Sequence, residues 1–253
     1  MLQRNVKFHG IVMYANDYRE KDQLIKIFTY EYGKKVFFIK NGKKNNPNKV
    51  ALFPLTYGVY EGNLNESGLS FITTVNQYAY FNQINEDIVK NAYGTYILEL
   101  VDAAFYDNDI VKPYFNQIYH ALKLINNGID DQIVTNIVEL KMLVPFGVAP
   151  QLNKCVLCDN PTNVFDYSDR YNGLICSKHF EQDPHRLHLS TKAVRLLHRL
   201  NNVDLLKDVS IKVDDSLKKE LRKVIDLIYE NHVGIHLKAK RFLDQTMNLA
   251  DQL

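Results

Sequence analysis

All three cysteines of this 253-residue chain fall within one short stretch, as Cys155-Val156-Leu157-Cys158 and Cys176-Ser177-Lys178-His179. The spacing is C-x2-C-x17-C-x2-H. Each pair can close on one metal through a tight knuckle, and 17 intervening residues let the two knuckles meet. Three thiolates and one imidazole are a tetrahedral S/N set of the kind Zn²⁺ takes, so Cys155, Cys158, Cys176 and His179 are expected to hold one zinc per chain. With all four positions filled by protein, no place is left for a catalytic water, and the site is expected to be structural. The alternatives are cysteines serving as small core residues, or a redox C-x-x-C, which would want a βαβ context this region lacks. His185 and His188 are near enough in sequence to compete as fourth ligand, but His179 has the matching spacing. An odd cysteine count argues against a disulfide framework.

The second chemical signal is cationic. Lys34, Lys35, Lys40, Lys43, Lys44 and Lys49 lie within sixteen residues, with Tyr30, Tyr32, Phe37, Phe38 and Tyr57 nearby. Single-strand binders combine cations that follow phosphates with aromatic faces on which bases stack. Lysines supply phosphate contact and little base information. Alternate aromatics must fill a core, and the sequence does not say which ring faces outward. The whole chain has 31 Lys+Arg against 29 Asp+Glu, only +2. Residues 1–50, however, carry 11 against 4 (+7), residues 51–170 carry 6 against 14 (−8), and residues 171–253 carry 14 against 11 (+3). A basic head on an acidic middle points to a polyanion surface at the N-terminal end. A solvated lysine-rich strand face is the plainer alternative.

Catalytic motifs are missing. Neither Gly33-Lys34 nor Gly42-Lys43 has a Gly five residues earlier, and Lys rather than Ser or Thr follows each, so no P-loop is present. No G-x-S-x-G or H-E-x-x-H occurs. The acidic pairs Asp107/Asp109, Asp130/Asp131 and Asp214/Asp215 read as helix-start or loop residues, favoured near positive helix N-termini. A two-metal nuclease site could be assembled from them only by long-range folding.

The elements that must position these groups change character near residue 80. Before it, β-branched and aromatic runs at 6–14, 23–29, 36–40, 52–60 and 69–75 give five strands, with a turn at Tyr32-Gly33-Lys34-Lys35 and a polar basic loop from Asn41 to Lys49. Five strands in this length suit an antiparallel barrel of the OB type, or another small barrel. After it the period is helical: Asp87 to Phe105, Tyr114 to Ile125 and Asp131 to Phe146, with Pro113 and Asn126-Asn127-Gly128 as stops. Ser190-Thr191 can cap a further helix, Asp214-Asp215-Ser216 a longer one, and another runs from His236 to Leu249 after a break near Gly234. The fold class expected is α+β: residues 1–79 a five-stranded OB-type barrel for nucleic acid, and 80–253 a helical domain with a zinc-binding insertion at 150–188. No apolar run approaches the ~20 residues of a membrane span. The start lacks the apolar segment of a secretory signal, so a cytoplasmic location is expected.

In order and spacing, several short motifs resemble those of the bacterial recombination-mediator family RecO. Gly10-Ile11-Val12 followed by Tyr18-Arg19-Glu20-Lys21-Asp22 resembles the family's first strand and Y-x-E-x-D/S element. Lys40 to Lys44, then Leu52-Phe53-Pro54, resembles its basic loop and L-x-P strand. Phe146-Gly147-Val148-Ala149-Pro150, Leu152 and Cys155 resemble its F-G-x-x-P-x-L-x-x-C entry to the knuckle, and Gly173-Leu174-Ile175-Cys176 its return. Leu189-Ser190-Thr191 and Phe242-Leu243 fit the closing helices. His179 stands where a fourth Cys is commoner. The basic loop uses Lys in place of an Arg-rich set, which keeps phosphate contact but loses bidentate geometry.

The resemblance implies an OB-fold head, no ATP hydrolysis, and a role in recombination and gap repair. It implies binding to single- and double-stranded DNA, annealing of complementary strands and, with RecR, loading of RecA onto strands coated by single-strand DNA-binding protein. The implied partners are DNA, RecR and the acidic C-terminal tail of single-strand DNA-binding protein, with RecA indirectly and no membrane. Lys34, Lys35, Lys40, Lys43, Lys44, Lys49 and Arg19 are the DNA candidates. Arg195, Arg199, Lys238, Lys240 and Arg241 are the partner candidates, on charge alone. Two rival readings remain: a metal-dependent nuclease using the acidic middle, and a zinc-stabilised scaffold whose basic head binds an acidic protein.

Overall fold

A computed structural model describes residues 2–42, 49–66, 68–207 and 212–250. The fold is α+β, and the chain forms two compact units, residues 1–129 with 237–253 and residues 130–236. The strand-to-helix change near residue 80 therefore falls inside the first unit.

Five strands open that unit: β1 (Leu2–Tyr18), β2 (Asp22–Thr29), β3 (Gly33–Ile39), β4 (Thr56–Asn65) and β5 (Ser70–Tyr80). They close into a barrel in the order β1-β2-β3-β5-β4. The 17-residue β1 serves both β2 and β4, with irregularities between Gln3 and Val6 and between Val12 and Tyr14. The β3–β5 pair is parallel. Alternation sends Phe8, Val12, Ile25, Ile27, Phe37, Ile39, Tyr60 and Leu64 inward. Phe8 stacks on Phe37 and Tyr60 at centroid distances of 5.1 and 5.6 Å. The Tyr60 hydroxyl donates to the Ala51 carbonyl at 2.8 Å, which satisfies the one polar group of this core ring.

The β2–β3 turn lies earlier than the sequence predicts. Gly33, at φ +69°, already opens β3, and a side chain there would overlap the backbone of Asn108 and Asp109. Lys34 and Lys35 are consequently strand residues, and both are buried. The Lys34 Nζ donates to the Asp102 carbonyl (2.6 Å) and carboxylate (2.7 Å). Lys26 Nζ lies 2.6 Å from the same carboxylate and 3.0 Å from that of Asp107. Lys35 Nζ donates to the Asn65 carbonyl at 2.9 Å. A buried ammonium is tolerated only with such partners.

The helices of this unit are α1 (Asn82–Glu86), α2 (Ile88–Ala104), α3 (Lys112–Asn126) and α7 (Lys238–Ala250). Asp87 caps α2 by accepting from Val89 N and Lys90 N. Pro113 sits in the first turn of α3, where its missing N–H costs nothing, so it opens that helix. Glu99 of α2 accepts from the backbone N–H groups of Lys238 and Ala239, fastening the start of α7 to α2. Asp102, near the end of α2, fastens that helix to the barrel.

The second unit holds α4 (Asp131–Met142), the hairpin β6 (Phe165–Ser168) and β7 (Gly173–Cys176), α5 (Thr191–Asn201) and α6 (Asp215–Ile228). Asp130 and Ser190 cap α4 and α5 through their side chains, as their residue types predict. A π-turn at Tyr229–Val233 follows α6 and stops at Gly234, φ +70°. Glu139 is fully buried in this unit and takes a bidentate pair from Arg222, at 2.7 and 3.0 Å. Among the described residues no helix is long and apolar enough to cross a membrane.

Burial opposes ionisation of Asp102, but Lys26 and Lys34 together hold its carboxyl below the usual range. A depressed carboxylate pKa contributes stability above the unfolded value, about 3.9, and loses it as pH falls. Asp102→Asn should therefore lower the melting temperature at neutral pH and flatten the fall in stability below about pH 4. Asp102→Ala, which leaves Lys26 and Lys34 to share the more exposed Asp107 carboxylate, should cost about 3 kcal/mol in denaturant titrations. Unchanged melting in both variants would contradict this assignment.

Candidate metal centre and nucleic-acid face

The segment after α4 has little regular structure, and its backbone is organised around the cysteines. The first knuckle is a tight turn: Asp159 N donates to the Cys155 carbonyl and Cys155 N to the Asn160 carbonyl, both at 2.9 Å, with Asp159 at φ +57°. The second begins where β7 ends. Cys176 leaves the strand and a 3-10 turn at Ser177–Gln182 presents His179. The knuckles are joined by backbone bonds, Val156 N to the Leu174 carbonyl and Leu174 N to the Gln151 carbonyl, each 2.8 Å. Gly173 lies so close to Gln151 that a Cβ would press on its carbonyl, which accounts for the glycine at the start of the returning strand.

The four side chains predicted from spacing come together, with ligand atoms all within 4.8 Å of one another. Cys158 Sγ lies 3.8 Å from Cys176 Sγ. His179 Nδ1 lies 3.5 Å from Cys155 Sγ and 3.3 Å from Cys176 Sγ. A tetrahedral ion with bonds of about 2.3 Å to sulfur and 2.0 Å to nitrogen sets edges of about 3.8 and 3.5 Å. The donor set thus fits one tetrahedral metal ion. Cys176 N–H points at Cys155 Sγ from 3.3 Å, a donor that supports a thiolate. Burial opposes ionisation of Cys155. N–H groups of Cys176, Leu157 and Cys158, with the His179 ring, outweigh that and bring the thiol down to about 6. Burial pushes Cys176 up. Cys155 and Cys176 are buried and Cys158 is exposed. His185 and His188 do not belong to the cluster; the nearest partner of the His188 ring is the Pro184 carbonyl.

The DNA candidates fare unequally. Lys40, Lys49 and Arg19 are exposed on the first unit. Arg19 sits in the β1–β2 turn with its guanidinium 5.1 Å from the Tyr18 ring centroid. Lys34 is 3% exposed and its ammonium is taken by Asp102, and Lys35 is 8% exposed and bonded to Asn65, so neither offers its charge to a phosphate. The reason is position in a strand rather than in a turn. Lys43 and Lys44 lie outside the described residues. Of the partner candidates, Arg195 and Arg199 are exposed on α5 of the second unit. Lys238, Lys240 and Arg241 lie on α7 of the first, with Lys240 paired to Asp244. Sequence reasoning missed Lys26 and Asp102, whose pairing is a long-range consequence of folding.

Two family models match the chain, Recombination protein O N terminal over residues 1–81 and Recombination protein O C terminal over residues 85–241. Curated relatives match over nearly the whole length. The DNA repair protein RecO of Lactiplantibacillus plantarum is 45% identical over 239 residues, 94% of this chain and 93% of the relative. That of Limosilactobacillus reuteri is 44% identical over 253 residues, 100% and 97% of the two chains. That of Enterococcus faecalis is 43% identical over 237 residues, 93% and 90%.

The cluster predicts a stoichiometry and a ranking. Elemental analysis of the purified protein should find one metal ion per chain. Cys176→Ala should lose it and melt earlier, whereas His179→Cys, which keeps four soft donors, should retain it. A metal-free preparation with unaltered melting would refute the site.

Proposed function

The chain belongs to the recombination protein O (RecO) family, and from that membership we propose that it is a DNA-repair protein that binds DNA without acting on it as an enzyme. The observation that carries this reading is the full-length similarity to relatives named DNA repair protein RecO, joined to a first unit on which Lys40 and Lys49 are exposed. In its finer form the proposal is a recombination mediator. It binds single- and double-stranded DNA, anneals complementary strands and works with RecR to load RecA onto strands covered by single-strand DNA-binding protein. The acidic tail of that protein is the proposed partner of the exposed Arg195 and Arg199 on α5 of the second unit. The location that goes with this work is the cytoplasm.

Mechanistically, two strands repel until their phosphates are screened. Exposed lysines such as Lys40 and Lys49, with Lys43 and Lys44 between them in sequence, displace counterions from each strand and let bases come within pairing distance. No covalent step is required of the protein. Zn²⁺ is the metal we assign to the Cys155, Cys158, Cys176 and His179 site, since three thiolates and an imidazole suit it and leave no open position. Bound there, it supplies cross-linking rather than chemistry, tying together the two knuckles of a segment with a small core.

Three outcomes test the proposal. Single-strand affinity should fall by about 0.7 log units per log unit of salt for each phosphate contact. Lys40, Lys43 and Lys44 changed together to Glu should abolish annealing in a fluorescence-quenching assay while melting stays unchanged. Incubation with DNA and Mg²⁺ or Mn²⁺ should leave the DNA intact. Salt-independent binding, full annealing by the triple variant, or cleavage products would each contradict the reading, the last in favour of a nuclease.

A further inference from the structure

The aromatic side chains of the barrel sort into two sets. Phe8, Phe37 and Tyr60 fill its interior. Tyr18, Phe38 and Phe71 form a second contiguous group from three different strands. Phe37 is fully buried, so strand alternation turns its neighbour Phe38 outward. The parallel β3–β5 register sets Phe38 opposite Phe71, and their rings meet edge-on at 6.0 Å and 68°. On its other side Phe38 meets Tyr18, at the end of β1, at 6.1 Å and 88°. Phe71 is 43% exposed.

Outward positions of a water-soluble barrel ordinarily carry polar side chains, and cross-strand aromatic pairs on such a face are worth only a fraction of a kcal/mol to about 1 kcal/mol. Here three rings run in a row with cations at its border. Arg19 lies over Tyr18 at 5.1 Å, and exposed Lys40 follows two residues after Phe38. Apolar ring faces next to cations match the chemistry of a strand whose bases are unstacked and whose phosphates are charged. They do not match a duplex, whose bases are stacked away from reach.

We propose that Tyr18, Phe38 and Phe71, bordered by Arg19 and Lys40, form a platform on which unpaired bases of single-stranded DNA stack. The proposal rests on the DNA-binding reading above and adds to it which rings touch bases. The platform holds splayed bases with their pairing edges free, while the bordering cations hold the backbone. Stacking of this kind is tolerant of base identity.

The test uses the full chain, which contains no tryptophan. Phe71→Trp therefore introduces a single fluorescent reporter. Its emission should be quenched by oligo(dT) and unaffected by a duplex of equal length. Phe71→Ala and Phe71→Leu should lower oligo(dT) affinity by roughly 5- to 150-fold. The loss should be equal at every salt concentration, because the missing contact is not ionic, and duplex affinity should be unchanged. Phe71→Leu keeps an apolar cover, so its melting temperature guards against a folding defect. Tyr78→Ala, at a residue comparably exposed further along β5, should bind as wild type. Wild-type affinity in both Phe71 variants, an unquenched tryptophan in a DNA-bound protein, or an equal loss in Tyr78→Ala would overturn the platform and leave the DNA-binding reading standing. Absence of any DNA binding by the unaltered protein would instead fail that reading first.

Discussion

An ammonium group can leave water only if a carboxylate or carbonyl goes with it, and this constraint organises the first unit. Lys26 and Lys34 point from neighbouring strands toward one place, where two like charges would repel. Asp102, from α2, lies within 2.7 Å of both, and Asp107 supports Lys26. The ion cluster therefore does two things. It fixes the end of α2 against the barrel, and it withdraws part of the basic head from the surface. The head's +7 is a count of residues, not a description of a face. What remains outward is a smaller set of cations, and Arg19 and Lys40 of that set border the half-buried rings of Tyr18 and Phe38.

The second unit meets a comparable difficulty with different means. Its segment between α4 and α5 contains one short hairpin and few large buried side chains, so backbone bonds and a ligand cluster carry the organisation that a larger core would supply elsewhere. The knuckle N–H groups that aim at Cys155 sulfur make the thiolate the favoured form before any ion is considered. Glu139 and Arg222 are this unit's buried pair, and Tyr229, at the start of the π-turn, donates to the Glu139 carbonyl at 3.0 Å.

Legibility followed the range of the interaction. The Cys155, Cys158, Cys176 and His179 cluster was readable because each knuckle is a local turn with fixed spacing, and placing His179 in it ahead of His185 and His188 needed only that spacing. Caps at Ser190 and Asp130 were readable for the same reason. The number of strands was legible from alternation, but the start of β3 was not. Gly33 looked like the turn residue, whereas its left-handed backbone and close approach to Asp109 make it the first residue of a strand. That shift moves Lys34 and Lys35 from the expected turn to buried positions in the strand. The outward rings were illegible because adjacent Phe37 and Phe38 are the same residue type, yet one is fully buried and the other half-buried. The return of α7 to the first unit depends on Glu99 receiving its N–H groups, a contact spanning 140 residues for Ala239.

The barrel divides its lysines into an internally paired set and a solvent-facing set, and on the proposed DNA-binding reading only the second meets nucleic acid. Matched replacements test it most directly. Lys34→Met leaves Asp102 paired with Lys26, and Lys40→Met removes an exposed charge of the same size. Single-strand affinity should be measured across salt for both. The account predicts that the slope is unchanged in Lys34→Met and falls by about 0.7 in Lys40→Met, one lost phosphate contact. Equal slopes for the two variants, or a reduced slope for Lys34→Met alone, would contradict it.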